Sequence, residues 1–174
     1  YEMQRSLVGS EMCIRDRTGR GAGLSDSGLK RKIYVIQRAL EVNRPDATDP
    51  LDVLSKVGGY EIAGMAGAFL GGMVHRVPVV IDGVISAVSA LLAVRLCPAA
   101  QAYMLASHMS REPAGRLVME ALGARPVVYA DMALGEGTGA AMLLPLLDMV
   151  LNVCRGTHTF TDLGIPAYTP LGGE

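Results

Sequence analysis

RVPVVIDGVISAVSALLAVRL, residues 76–96, is the stretch on which the fold turns. Its first part, Val77 to Ile81, is β-branched, with Pro78 near its start and Gly83 just beyond its end, and reads as a buried strand. Ile85 to Leu96 follows as an apolar helix stopped by Pro98. The same alternation continues downstream. Tyr103 to Ala106 is a second strand and Pro113 to Leu122 a helix with proline in its first turn. Val127 to Tyr129 is a third strand, and Thr138 to Val153 a closing helix in which Pro145 marks a kink or a later start. Strand–helix units of this length need crossover connections, so the strands run parallel with helices packed on them. The fold class is α/β.

Upstream, apolar residues Leu29, Ile33, Val35, Ile36, Ala39 and Leu40 recur near helical spacing beside Lys30, Arg31, Lys32 and Arg38. They predict an amphipathic helix from Ser25 or Ser27 through about Val42. Asn43 to Pro50 is a connector, Asp52 to Lys56 a short helical turn ending at Gly58-Gly59, and Glu61 to Met73 a buried helix whose small residues allow close backbone approach. Residues 1–17 carry no periodicity that continues into the rest of the chain. Their string SLVGSEMCIRDR resembles read-through of a sequencing adapter, so this segment is set aside and expected to be disordered. A genuine polar N-terminal arm is the alternative.

The chain of 174 residues is long enough for one domain with a sizeable core, and with Tyr1 in place of a start methionine it need not be a complete protein. A net charge of −1 gives no nucleic-acid footprint and no polybasic membrane patch. Two Phe, no Trp and 21 Gly fit helices packed closely on a sheet better than an aromatic nucleic-acid platform. The longest uncharged apolar run, Ile62 to Val74, is too short for a bilayer and is interrupted by glycines, and no signal peptide opens the chain. Cytoplasm is the expected location. Cys13, Cys97 and Cys154 are odd in number with no CxxC spacing, which predicts reduced, mostly buried thiols and no zinc site.

The polar residues able to do chemistry fall just after the strands: Asp82, then Ser107, His108 and Ser110, then Asp131 and Glu136. That carboxyl edge is where open α/β sheets bind ligands. In Leu134-Gly135-Glu136-Gly137-Thr138-Gly139-Ala140 a carboxylate sits between glycines that permit positive φ, beside the free N–H groups of a helix that Thr138 could cap. Glu136 is either a catalytic base or an acid that only complements the helix dipole in a tight turn. Asp82 either bonds a ribose hydroxyl or caps the helix beginning near Ile85, and both can hold. Gly19-Arg20-Gly21-Ala22-Gly23 looks like a phosphate cradle without a strand before it, and spacing leaves Lys32 a phosphate cation or a solvated lysine. No nucleophile elbow accompanies Ser107-His108-Met109-Ser110. His75, His108 and His158 lack metal-ligand spacing, so they are expected to be hydrogen-bonded or exposed.

Taken in order, GRGAGLSDSGLKRK (19–32), DPLDVLSKVGGYEIAGMAGAFLGG (49–72), RVPVVIDGVISAVSALLA (76–93), YMLASHMSREPAGRLVMEALG (103–123) and LGEGTGAAMLLPLLDMVL (134–151) resemble the nicotinate-nucleotide:dimethylbenzimidazole phosphoribosyltransferases. The resemblance runs from Thr18 to Leu163. It implies a Rossmann-like parallel sheet with flanking helices, a smaller helical domain built from both chain ends, and a homodimer. The implied reaction moves phosphoribose from nicotinate mononucleotide to 5,6-dimethylbenzimidazole, giving α-ribazole 5′-phosphate and nicotinate for the lower ligand of cobalamin, with no metal or redox cofactor. The family's catalytic glutamate falls on Glu136, which would take the proton from one benzimidazole nitrogen as the other attacks the anomeric carbon. Such a base works best in an apolar pocket, where desolvation raises a carboxylate's pKa toward the operating pH. Leu134 would supply part of that wall. Ser110 matches a substrate contact, Lys32 the lysine that partners a phosphate or carboxylate, and Asp82 and Gly83 ribose or phosphate neighbours, with Gly135 and Gly137 completing the substrate loop.

One departure stands out. Family members carry a Glu-Met-Gly-Ile-Gly-Asn-Thr-Thr type loop just upstream of GRGAG, where this chain has the adapter-like string. The resemblance therefore implies a C-terminal half: residues 18–153 from the α/β domain and 154–174 as a tail belonging to the small helical domain. Such a piece lacks sheet strands and part of both substrate sites, and is expected to be inactive alone. Two other classes remain. A non-catalytic module binding a nucleotide or aromatic base would keep the Gly loops, whereas a Rossmann methyltransferase would place its Gly-rich loop after the first strand, and here the Gly-rich acidic loop follows the last.

Overall fold

The computed structural model describes residues 11–21 and 23–166. Four helices precede the sheet: α1 (Glu11–Arg17), α2 (Asp26–Asn43), α3 (Pro50–Val57) and α4 (Tyr60–His75). Then come β1 (Val79–Ile81), α5 (Val84–Leu96), a 3₁₀ helix over Pro98–Tyr103, β2 (Met104–Ala106), α6 (Pro113–Leu122) and α7 (Thr138–Gly156). β1 and β2 pair in parallel with Val79 opposite Met104 and Ile81 opposite Ala106, and α5 makes the crossover between them. The α/β class is therefore as expected, in the form of a small parallel sheet among many helices.

The core forms where α4, α5 and α6 meet the sheet. Along α5, Ala87, Ala90 and Ala93 are fully buried, one per turn, and join Ala66 and Phe69 of α4, Ile81, Ala106, and Met119 and Leu122 of α6. Alanine at this spacing costs no side-chain entropy and lets neighbouring helices come close. Close approach recurs on α4, where a Cβ on Gly72 would overlap the Val79 side chain. The other helical glycines of α4, Gly64, Gly67 and Gly71, face open space. Ser25 caps α2, accepting from the Gly28 N–H at 3.2 Å, and Asp49 caps α3 by accepting from Leu51 and Asp52. Ser25 is a start expected from the sequence, whereas α3 begins at Pro50, inside the expected connector, because Asp49 caps its first turn.

Several expectations are corrected. Residues 11–17, set aside as disordered, form α1, which packs on α2; the Thr18 hydroxyl closes its end on Ile14 O at 2.6 Å. Residues 1–10 lie outside the described ones. The third strand at 127–129 shortens to a single parallel bridge between His108 and Val128, made by Val128 N–H to Ser107 O at 3.0 Å and Met109 N–H to Val128 O at 2.9 Å with Val127 N–H to Ala106 O beside it, and the extended backbone is broken at Asp131, where φ is 48°. Pro145 neither ends nor delays α7, which runs unbroken from Thr138. Of the thiols, Cys97 is half-buried and Cys154 exposed on the outer surface of α7, while the side chain of Cys13 lies outside the described ones. α7 also holds the most apolar exposed surface, including Leu144, Met149, Val150 and Val153. By length and composition it could cross a membrane, but its first turn is tied to the end of β1, as a helix docked on a sheet edge is.

Candidate active site

β1 ends at Ile81, and its last carbonyl is held twice, by the Ser107 N–H at 3.0 Å and the Ser107 hydroxyl at 2.7 Å. Ser107 is fully buried. With its hydrogen given to Ile81 O, its oxygen receives the Nδ1–H of the neighbouring His108, 3.1 Å away, which assigns the imidazole tautomer. This serine is an anchor and no nucleophile. His108 is a hydrogen-bonded core histidine, and His75 and His158 are exposed.

Asp82 stands next in the chain and faces another element altogether. Its carboxylate accepts the Gly137 N–H at 3.1 Å through one oxygen and the Ala140 N–H at 3.0 Å through the other. It therefore caps α7 from 55 positions away, and its charge faces the positive end of that helix. Neither capping expectation survives as drawn. α5 begins after Gly83 without a side-chain cap, and the Thr138 hydroxyl turns back to Gly135 O at 2.8 Å rather than capping α7. The backbone of Asp82 is fixed as well: its N–H donates to the Ser86 hydroxyl, which in turn donates to Gly83 O.

Three consecutive residues before α7 take left-handed φ: Gly135 at 77°, Glu136 at 55° and Gly137 at 79°. Glycine does this freely, but a glutamate there costs about 1 kcal/mol or more and persists only where its surroundings impose it. The glycines flanking Glu136 thus have the use foreseen for them. Gly139 has another: a Cβ there would overlap the His108 ring and press on the Asp82 carboxylate, so its absence lets α7 dock against both.

Glu136 itself is exposed, and Leu134 is 75% exposed. The apolar pocket expected around the carboxylate is not built by the described residues, since Glu136 and Leu134 both stand open to solvent. Lys32 is half-buried and donates to Gly19 O at 2.9 Å, so it is not the freely solvated lysine of a helix face. Gly19 in turn lies against the Glu112 carboxylate and Pro113 at the start of α6, two residues beyond Ser110. The Ser110 hydroxyl accepts the Glu112 N–H at 3.3 Å. Lys32 and Ser110 are thereby brought to one neighbourhood, and Asp82, Gly83, Gly135, Glu136 and Gly137 to another. Glu112 stands directly before the proline-started α6, in the same segment as Ser110. Among the described residues no three His, Cys, Asp or Glu side chains gather as a metal site.

A family model described as phosphoribosyltransferase matches residues 7–165. The chain belongs to that phosphoribosyltransferase family. The match takes in residues 7–17, within the segment set aside on sequence. Among curated relatives, nicotinate-nucleotide–dimethylbenzimidazole phosphoribosyltransferase of Acetivibrio thermocellus is 48% identical over 165 residues, covering 95% of this chain and 47% of that protein. The protein of the same name from Desulforamulus reducens is 49% identical over 154 residues, covering 88% of this chain and 44% of its own. The crystal structure of CobT from Thermus thermophilus superposes with a TM-score of 0.79 at 36% identity, over 94% of this chain and 49% of that one. This phosphoribosyltransferase chain thus spans about half the length of the curated relatives it matches.

Proposed function

We propose that the chain carries the base-bearing part of an enzyme that transfers phosphoribose from nicotinate mononucleotide to 5,6-dimethylbenzimidazole, in the synthesis of the cobalamin lower ligand. The observation that carries this reading is Glu136, an exposed carboxylate held at positive φ between two glycines on the carboxyl edge of a parallel sheet. The names of its relatives at 48–49% identity supply the substrates. One benzimidazole nitrogen attacks the anomeric carbon while Glu136 takes the proton from the other. The bond to the nicotinate ring nitrogen breaks as the new C–N bond forms, its electron pair leaves with nicotinate, and attack from the opposite face inverts the centre. Lys32 and Ser110 lie on the phosphate or carboxylate side, and Gly83, Leu134, Gly135 and Gly137 line the base and ribose. The chemistry calls for no metal or redox cofactor. We further propose that the intact protein has a Rossmann-like sheet, is a cytoplasmic homodimer, and that the apolar wall around Glu136 comes from residues outside this chain.

Glu136→Gln keeps the shape and removes the base. Turnover to α-ribazole phosphate should fall by about 10²–10⁴-fold with binding of both substrates retained, as measured by product formation and calorimetric titration on a protein extended to the relatives' length. Unchanged turnover would sink the reading. The non-catalytic binding module would show neither turnover in the parent nor any effect of this substitution.

A further inference from the structure

We infer that Asp82 is a positioning residue that sets the direction of Glu136 by holding the peptide that follows it, rather than a group that contacts substrate. The inference rests on Glu136 being the base. The Gly137 N–H belongs to the peptide between Glu136 and Gly137, so the bond from it to Asp82 fixes the plane on the C-terminal side of the Glu136 Cα and with it that residue's ψ. The second carboxylate oxygen takes the Ala140 N–H, which locks the first turn of α7 in the same grip. A single carboxylate thus spans the junction between a left-handed turn and a helix.

The hold is backed by hydrogen bonds on the backbone that leads to it. Ile81 O is bonded by both the N–H and the hydroxyl of Ser107, and the Asp82 N–H by the Ser86 hydroxyl. Gly139 removes the one side chain that would separate α7 from Asp82 and His108. Within the turn, the Thr138 N–H and hydroxyl both reach Gly135 O, at 3.1 and 2.8 Å, so the N-terminal side of Glu136 closes locally. Only the C-terminal side depends on a distant residue. Asp82 therefore couples the end of β1 to the orientation of Glu136, each of its two oxygens accepting one backbone donor of the turn or of the first turn of α7.

Asp82→Asn and Asp82→Ser test this, the first sparing one acceptor and the second removing the carboxylate reach. Amide exchange is measured on the 174-residue chain at Gly137 and Ala140, with the buried Ser107 N–H as the reference for an intact sheet edge. Exchange at Gly137 and Ala140 should quicken at least tenfold, more in the Ser than in the Asn variant, with Ser107 unchanged. In the protein extended to the relatives' length, kcat should fall at least tenfold while KM for nicotinate mononucleotide stays within about twofold, and Asp82→Glu, which restores a two-oxygen acceptor, should recover part of kcat. Unchanged protection at Gly137 and Ala140 would overturn the inference. So would a rise in KM at constant kcat, which marks a direct substrate contact, or a loss of protection at Ser107 as well, which would make Asp82 a support of the whole sheet edge. Normal turnover by Glu136→Gln would instead defeat the proposed function and leave the exchange result standing.

Discussion

Glu136, Asp82 and Gly139 form one unit although the first two stand 54 positions apart in sequence. Glu136 is set on a turn that its flanking glycines make cheap, the turn is held by the carboxylate that follows β1, and that carboxylate reaches it because position 139 has no side chain. Gly139→Ala should therefore be costly in a way that its helical location hides. In an exposed helix interior alanine improves on glycine by roughly 1 kcal/mol, but here the added methyl meets the buried His108 ring, and overpacking of this kind costs about 1–3 kcal/mol. Chemical denaturation should show a net loss of stability, and a gain would mean that His108 swings away without penalty. The left-handed turn around Glu136 was legible from its glycines; the grip on it was not, since nothing in the spacing of Asp82 points to α7 over the helix that follows it.

α3 shows how much of an element local chemistry specifies. It starts at Pro50 under the Asp49 cap, two residues before the expected Asp52, and the connector before it folds on itself through carboxylates: Asp52 accepts the Asp46 N–H at 2.7 Å and pairs with Lys56 at 2.8 Å, while Asp46 accepts the Thr48 hydroxyl and N–H. These bonds hold both carboxyls below the ordinary range, Asp52 chiefly through the Asp46 N–H and then Lys56, Asp46 chiefly through the Thr48 hydroxyl and then its N–H. A carboxyl whose pKa is lower folded than unfolded stabilises above its unfolded pKa and loses that contribution as pH falls through the folded one. Protection of the Thr48 and Asp46 amides should thus be constant at neutral pH and drop only below the usual carboxylate range. Loss of protection already near neutral pH would contradict the assignment. The third strand failed at this level for the converse reason: Val127 to Tyr129 has strand-like residues, but a strand needs a ladder, and only one bridge is available to it.

For the molecule as a whole, the decisive fact is how unevenly it is finished. The interior between α4, α5, α6 and the sheet is closed, whereas α7 leaves Leu144, Met149, Val150, Leu151 and Val153 exposed and Glu136 stands open beside it. With relatives about twice as long, the 174-residue chain alone should give no α-ribazole phosphate above background, and the same residues joined to an upstream half of the relatives' kind should. Robust turnover by the chain alone, followed by chromatographic detection of product, would overturn that. Its residues alone specified the α/β class, most helix starts and stops, the parallel direction of the strands and the glycine-flanked glutamate, because periodicity, caps and turns are local properties of the chain. Burial and long-range hydrogen bonding decided the rest. They made α1 a helix, reduced a strand to a bridge, left Glu136 outside an apolar pocket and set the Asp82 carboxylate on the N-terminus of α7, since which distant groups meet depends on how the elements pack.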